Sequence, residues 1–234
     1  MFLVGLVVSL VTIFKGLKHV GLSFDAVTSY LLSIGFGVLI AAIGTFFIRN
    51  IHLDPDENKD FYYASMERIF SVLMIITAAA MAFAHGSNDV ANAIGPLAAI
   101  YSIIDSGGII GSKSALPLWI LFLGGVGIAV GLITYGHKVI ATIGTGITQL
   151  TPSRGFAATL AAAATVVIAS STGIPVSTTQ VLVGAVLGVG LARGMAALDT
   201  RVISRIFLSW IVTLPAGAFM SILFFFALKG AFGA

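Results

Sequence analysis

The fold of this chain is decided by residues 69–104, IFSVLMIITAAAMAFAHGSNDVANAIGPLAAIYSII. This run contains one formal charge, Asp89, and it is longer than the about 20 apolar residues that a single membrane-spanning helix needs. It lacks the regular alternation of polar and apolar residues that a membrane β-barrel strand requires. The run therefore predicts helical structure inside a lipid bilayer, where a helix satisfies its own backbone hydrogen bonds.

The composition of the whole chain supports a membrane location. Of the 234 residues, 58% are hydrophobic and 9% are charged, and the mean hydropathy is +1.09. A soluble domain carries roughly 25% charged residues. The net charge of +3 is small and its charges are scattered, which argues against a nucleic-acid partner. The absence of cysteine excludes disulfide scaffolds, thiolate metal sites and cysteine nucleophiles.

Long hydrophobic segments along the chain predict an all-α, polytopic membrane protein. Two of them, 69–104 and 156–191, are too long for one span, and we expect each to be a broken or re-entrant helix. The other segments are predicted at residues 1–17, 30–48, 116–135 and 203–228.

Polar residues interrupt both long segments near their middle. The first interruption is HGSND at 85–89, and the second is SSTGIPVSTTQ at 170–180. Gly173 frees the backbone for a turn, and Pro175 cannot continue a helix from the residues before it. We therefore expect a helix end inside each segment, buried in protein or lining a wet cavity.

Residues 49–68 predict a hydrophilic loop, because they contain five of the nine acidic residues. If this loop is cytoplasmic and segment 156–191 returns to its starting side, eight Lys and Arg residues lie inside and four outside. That excess favours the assumed orientation under the positive-inside rule. It places the C-terminus outside.

The first polar interruption contains several groups that carry chemistry. His85, Ser87 and Asp89 resemble the members of a hydrolytic triad, but on a helix Ser87 would point away from the other two. Ser87, Asn88 and Asp89 are also good N-cap residues. However, a carboxylate inside a membrane is costly and usually functional. Asn88, Asp89 and Asn92 offer hard oxygen ligands, so we favour a cation site over capping alone.

The second polar interruption concentrates hydroxyl groups at a predicted helix start. Ser177 and Gln180 fit a capping box, which is the purely structural explanation. That box leaves Thr178 and Thr179 unexplained. Because a helix N-terminus exposes unpaired N–H groups, the hydroxyls and the helix end together favour an anion site without any Lys or Arg.

Two stretches of the chain resemble the inorganic phosphate transporter (PiT) family. AHGSNDVANAIGP at 84–96 closely resembles the signature of that family, and GIPVSTTQ at 173–180 resembles its second landmark. ERIFS at 67–71 is similar to the start of the family's C-terminal repeat. The resemblance covers most of residues 67–194.

The resemblance implies a secondary transporter built from two inverted repeats, each with an N-D motif and a Ser-Thr-Thr motif. This chain shows one of each motif, and residues 1–48 show neither. We therefore expect membrane helices at 1–48, a cytoplasmic loop at 49–68 and the C-terminal repeat at 69–234. The N-terminal half would come from a separate piece, from the rest of a longer protein, or from a second copy in a homodimer.

The implied function is symport of inorganic phosphate across the cell membrane, driven by a cation that we expect to be Na⁺, with H⁺ as the alternative. The resemblance implies a protein that is not an enzyme and holds no cofactor besides the coupling ion. The phosphate candidates are Ser177, Thr178, Thr179 and Gln180, with Ser87 a weaker one, and the cation candidates are Asn88, Asp89 and Asn92. Because phosphate and Asp89 repel each other, a bound cation would make the two binding events mutually dependent. The alternatives are a cation channel or exchanger with Asp89 lining its pore, and a membrane subunit that binds phosphate without moving it.

Overall fold

The computed structural model describes residues 1–13, 24–49, 59–111 and 116–233. Within these ranges the chain forms helices joined by turns, and no strand is present. The helices are α1 (Phe2–Val11), α2 (Ala26–Arg49), α3 (Lys59–Asp105), α4 (Leu118–Gly131), α5 (His137–Ala141), α6 (Pro152–Ser171), α7 (Thr178–Ala192) and α8 (Thr200–Phe232). Two π-helical turns, Leu132–Gly136 and Thr142–Gly146, flank α5, and a 3₁₀ turn, Met195–Ala197, precedes α8.

Five helical segments of the described chain are long and apolar enough to cross a membrane. They are Ala26–Phe46, Met66–Asp105, Leu118–Gly146, Pro152–Ser171 and Thr200–Phe232. The shorter helices α1 and α7 are also apolar. The predicted all-α, polytopic architecture is therefore confirmed.

The first polar interruption does not break a helix. α3 runs without a break through residues 85–89, so of the two expected breaks only the second is present. The pentapeptide contains no proline, and a single glycine in a helix costs only about 1 kcal/mol. In addition, the side chains of His85 and Asp89 contact each other one turn apart, as residues four apart do on a continuous helix.

The hydrophilic stretch 49–68 contributes to two helices. Arg49 ends α2, and residues 59–68 form the first turns of α3, so this part of the predicted loop is helical. Residues 50–58 lie outside the described residues. With 47 residues, α3 is about 70 Å long, more than twice the thickness of the hydrocarbon layer. Its hydrophilic first turns supply the part that extends beyond the lipid.

The second polar interruption forms the tip of a helical hairpin between α6 and α7. Gly173 adopts φ +74°, and the N–H groups of Gly173 and Ile174 bond to the carbonyls of Ser170 and Ala169. This pattern is the Schellman motif, which ends α6 and requires a residue that tolerates the left-handed region. Pro175 follows in the extended segment before α7. The predicted break at 170–180 is confirmed.

The hairpin returns to the end of the bundle from which it starts. Ala158 of α6 shares a buried cluster with Val183 and Val186 of α7. At the far end of α7, the Arg193 guanidinium donates to the Thr148 hydroxyl, which lies just before α6. The predicted re-entrant path of this segment therefore agrees with the structure.

α3 and α6 run parallel, and three polar contacts join them at successive depths. The Glu67 carboxylate accepts hydrogen bonds from the N–H and hydroxyl of Ser153, at 2.8 and 2.7 Å. Near the middle, the hydroxyls of Thr77 and Thr159 lie 2.7 Å apart. At the hairpin tip, Ser170 donates to the Asn88 side-chain oxygen at 3.4 Å. These contacts fix the register of the two helices.

Small residues allow close packing around these contacts. Ala162, Ala163 and Val166 of α6 form a buried cluster with Ala84 of α3 and with α1. This cluster holds the hairpin against the middle of α3, where the first sequence motif lies.

Candidate functional site

The tip of the α6–α7 hairpin lies against the middle of α3. The Thr178 hydroxyl donates a 2.8 Å hydrogen bond to Oδ1 of Asp89. Thr178 is completely buried, so this bond is shielded from solvent. The two motifs, which are far apart in sequence, therefore meet through a direct contact between a hydroxyl and a carboxylate.

Two asparagines of α3 hold the extended part of the hairpin tip. The side-chain amides of Asn88 and Asn92 both donate to the carbonyl oxygen of Val176, at 3.0 and 3.4 Å. That carbonyl is available because residues 174–177 lie outside both helices. The asparagines thus position the tip, while their side-chain oxygens remain on the same face of α3 as Asp89.

The second oxygen of the Asp89 carboxylate faces His85. Nε2 of His85 lies 2.7 Å from Oδ2, and the two side chains are 38% and 33% exposed. Among the described side chains this is the one contact between a basic side-chain nitrogen and a carboxylate, and no Lys or Arg joins it. Asp89 therefore has a buried side, bonded to Thr178, and a side from which a small ion can approach.

The start of α7 offers donors to an anion. Ser177 caps the helix, with its hydroxyl accepting a 3.4 Å bond from the N–H of Gln180. Ser177 and Gln180 are exposed and Thr179 is half-buried. As first-turn groups, the N–H groups of Thr178 and Thr179 have no acceptor within their own helix. A helix N-terminus with such neighbours favours binding of phosphate-like anions.

The sequence profile described as the phosphate transporter family matches residues 2–221. The chain belongs to this family. Transporters move their substrates without converting them, so this family is not a family of enzymes.

Individual relatives of this phosphate transporter family member agree with the assignment. A Haemophilus influenzae protein named "Putative phosphate permease" is 55% identical over 226 residues, which cover 97% of this chain and 54% of that protein. A like-named Pyrococcus furiosus protein is 47% identical, over 82% of this chain and 47% of its own length. A solved structure described as "The sodium-dependent phosphate transporter" superposes with a TM-score of 0.72 at 36% identity, covering 92% of this chain and 52% of that one.

The chain therefore spans about half the length of the relatives that it matches. The described residues hold both motifs of one site, on α3 and on the α6–α7 hairpin.

The structure brings most of the predicted site residues together. Asn88, Asp89, Asn92 and Thr178 belong to one network through the Asp89 carboxylate and the Val176 carbonyl. Ser177, Thr179 and Gln180 lie on the adjoining first turn of α7. Ser87 is half-buried on α3 and forms no hydrogen bond with the tip in the described structure. Its position two residues from Asp89 turns it to the opposite side of the helix.

Four groups of the network were not assigned to a site from the sequence. The four-residue spacing predicts that His85 shares a face of α3 with Asp89. It does not predict that Nε2 of His85 contacts the Asp89 carboxylate. Ser170 and the Val176 carbonyl contact the asparagines of α3. From α2, the Tyr30 hydroxyl lies 3.2 Å from the Ser171 hydroxyl at the tip, and no sequence pattern predicts this contact.

Proposed function

We propose that this chain is the C-terminal half of a cation-coupled symporter of inorganic phosphate, and that Na⁺ is its coupling ion. The observation that carries the proposal is the contact between Thr178 and Asp89. It places the helix start that suits an anion directly beside the carboxylate that suits a cation. Membership in the phosphate transporter family supports phosphate as the anion.

Phosphate would bind at the start of α7. Ser177, Thr179 and Gln180 present exposed or half-exposed polar groups there, next to the N–H groups of the first turn. The Thr178 hydroxyl donates a hydrogen bond to Asp89. We therefore place Thr178 between the two ions and do not count its hydroxyl as a donor to phosphate. Ser87 lies apart from this group, and we give it no more than an indirect role.

The coupling cation would bind at Asp89 with oxygens from Asn88 and Asn92. Within the described residues, no three His, Cys, Asp or Glu side chains converge on a metal site. One carboxylate with neutral amide and carbonyl oxygens suits a hard ion of low charge. The solved relative described as sodium-dependent supports Na⁺. An H⁺-driven cycle is the second possibility, and the experiment below separates the two.

Electrostatics explains why the two ions would bind together. A phosphate charge roughly 7 Å from a carboxylate, at an effective dielectric constant of about 20, is repelled by roughly 2.4 kcal/mol. The described part of the network contains no Lys or Arg to offset that cost. A bound Na⁺ removes most of the repulsion, which makes the affinity for each ion depend on the other.

The other wall of the site would come from a second half. Inverted-repeat transporters bind their substrate between repeats at broken helices, and this chain spans about half of its relatives' length. Gly184 and Gly188 of α7 meet no atom within 4 Å of an added Cβ, so this face is open to a close neighbour. We propose that the missing half, or a second copy, packs there, with the hydrophilic stretch 49–68 cytoplasmic and the C-terminus outside the cell.

The test is uptake of radiolabelled phosphate into proteoliposomes under an inward Na⁺ gradient, an inward H⁺ gradient, or no gradient. It is run on this chain alone and on this chain together with the other half of a full-length relative. We expect Na⁺-driven uptake only by the assembled site. Thr179→Val should reduce that uptake, whereas the control Thr165→Val should not, because the Thr165 hydroxyl bonds only to its own helix.

Other outcomes identify the competing functions. Uptake by a demonstrably monomeric chain would overturn the two-half site. Ion conductance without phosphate would support a channel with Asp89 in its pore. Saturable phosphate binding without uptake, in every assembly, would identify a binding subunit.

A further inference from the structure

A polar cavity lies at the opposite end of the hairpin from the candidate site described above. It has a volume of about 470 Å³ and is lined by residues 145–149 and 196–201. These residues follow the span Leu118–Gly146 and lead into the span Thr200–Phe232. The cavity therefore lies where two membrane-spanning segments end, at the expected level of the lipid headgroups.

Two guanidinium groups converge beside this cavity. Nη1 of Arg154 and Nη1 of Arg193 donate to the same acceptor, the carbonyl oxygen of Gln149, at 3.2 and 3.3 Å. Arg193 also donates to the hydroxyl of Thr148, which lines the cavity. Among the described residues no carboxylate lies within ion-pair distance of either arginine, and the Glu67 carboxylate interacts with Arg154 only at longer range. Like charges this close repel each other, and an anion bound in the adjoining cavity would reduce that repulsion.

The nearby carboxylates are already used by the fold. Oδ1 of Asp199 accepts hydrogen bonds from the N–H groups of Arg201 and Val202 and caps α8. Both oxygens of Glu67 accept from Ser153 at the start of α6. The side chain of Arg201 lines the cavity and has no ion-pair partner within the described residues. The cavity lining thus combines the cationic Arg201 with hydroxyl and amide groups, and its carboxylate, Asp199, is engaged by the start of α8.

The surroundings of the cavity favour a lipid as the source of the anion. The two spans that meet there bury only 6% and 0% of their most apolar windows inside the protein. Ile140 on one side and Phe207 and Leu208 on the other expose apolar side chains to the bilayer. We propose that this cavity binds the phosphate group of an anionic phospholipid between Arg193 and Arg201, with the acyl chains along the exposed apolar helices.

Free inorganic phosphate presents the same oxygens, so the test must separate the two sources. The probe is a tail-labelled phosphatidylglycerol titrated into the purified chain in neutral detergent. Phosphatidylcholine, which has no net charge, and inorganic phosphate are the two competitors. Basic pockets between membrane helices are known to favour anionic headgroups, and each Lys or Arg near the surface contributes about a fivefold change in affinity.

The decisive variant is Arg201→Gln, because the Arg201 side chain makes no described contact that holds the fold. We expect it to weaken phosphatidylglycerol binding about fivefold, with a stronger effect at low salt. The matched control is Arg68→Gln, which removes the same charge at the same end of the bundle but does not line the cavity. We expect this control to change the affinity less than twofold.

Each outcome decides the proposal. Displacement by inorganic phosphate that depends on Arg201 would show that free phosphate uses the same groups, which supports the anion site and identifies its source. Equal weakening by Arg201→Gln and Arg68→Gln would mean that only the general positive charge of this end matters, and it would overturn the site. Equally tight binding of phosphatidylcholine would overturn it as well.

Discussion

Replacement of Asp89 by asparagine separates the charge of this residue from its structural role. The asparagine oxygen can still accept the hydrogen bond from Thr178, and its amide can donate to Nε2 of a neutral imidazole at His85 whose proton is on Nδ1. Both contacts of the carboxylate thus have a neutral equivalent. We therefore expect the Asp89→Asn protein to fold normally, with the hairpin tip still held against α3.

The expected change lies in the binding of phosphate without Na⁺. An anion on the first-turn N–H groups of α7 would lie roughly 7 Å from the carboxylate, because Thr178 bridges the two, and removing the charge would relieve roughly 2.4 kcal/mol of repulsion. This corresponds to about a 50-fold gain in phosphate affinity in the absence of Na⁺. The same change removes the dependence of phosphate affinity on Na⁺, and by linkage the effect of phosphate on Na⁺ binding.

Equilibrium binding of radiolabelled phosphate, measured at several fixed Na⁺ concentrations on the assembly that takes up phosphate, provides the assay. Asp199→Asn is the matched control, because it removes a carboxylate that caps α8 far from the site and leaves an equally good cap. The control should keep the wild-type Na⁺ dependence. An Asp89→Asn protein with wild-type affinity and wild-type Na⁺ dependence would remove Asp89 from the mechanism.

Three further predictions concern the α6–α7 hairpin and its contacts with α3. Thr178→Val should lower the free energy of unfolding by roughly 1.5–3 kcal/mol in detergent, because it removes a buried hydrogen bond to a carboxylate. Thr179→Val should leave this free energy unchanged and weaken phosphate binding. Equal stability of the two variants would refute this prediction. Glu67→Gln should lower the same free energy by about 1.5–3 kcal/mol, because both bonds to the start of α6 lose their charged acceptor and one of the two oxygens becomes an amide nitrogen that cannot accept. An unchanged unfolding midpoint would contradict this prediction. Gly173→Ala should destabilise the protein by about 1–2 kcal/mol, because φ at this residue is +74°. Gly95→Ala, at an open position inside α3, should stabilise the protein. Effects of the same sign would argue against the Schellman turn at Gly173.

Most of the architecture follows from the sequence because lipid leaves few alternatives. Long apolar runs must be helical in a bilayer, and the structure has helices at every predicted segment that it describes. The break at 170–180 was predictable because Gly173 and Pro175 act on the backbone itself. The expected break at 85–89 is absent because polar side chains alone do not end a helix when their partners lie on a neighbouring segment such as the hairpin tip.

The site was predictable in its residue types but not in its contacts. A lone carboxylate in an apolar run and a row of hydroxyls at a helix start each indicate an ion by their cost in lipid. The bond between Thr178 and Asp89 depends on how the hairpin packs against α3, and a local pattern contains no information about that distance. The same limit applies to the Val176 carbonyl, which any residue type would provide.

The arrangement of these contacts explains how one movement could govern both ions. The tip of the hairpin is held to α3 by side chains at the site, namely Asn88, Asn92 and Thr178, while Glu67 holds the other end of α6. A Na⁺ ion at Asp89 would compete with the Thr178 hydroxyl and the Asn88 amide for Oδ1 of Asp89. Cation binding would therefore act on the contacts that position the start of α7. Because phosphate would bind to that helix start, the anion site and the cation site are coupled by position as well as by charge.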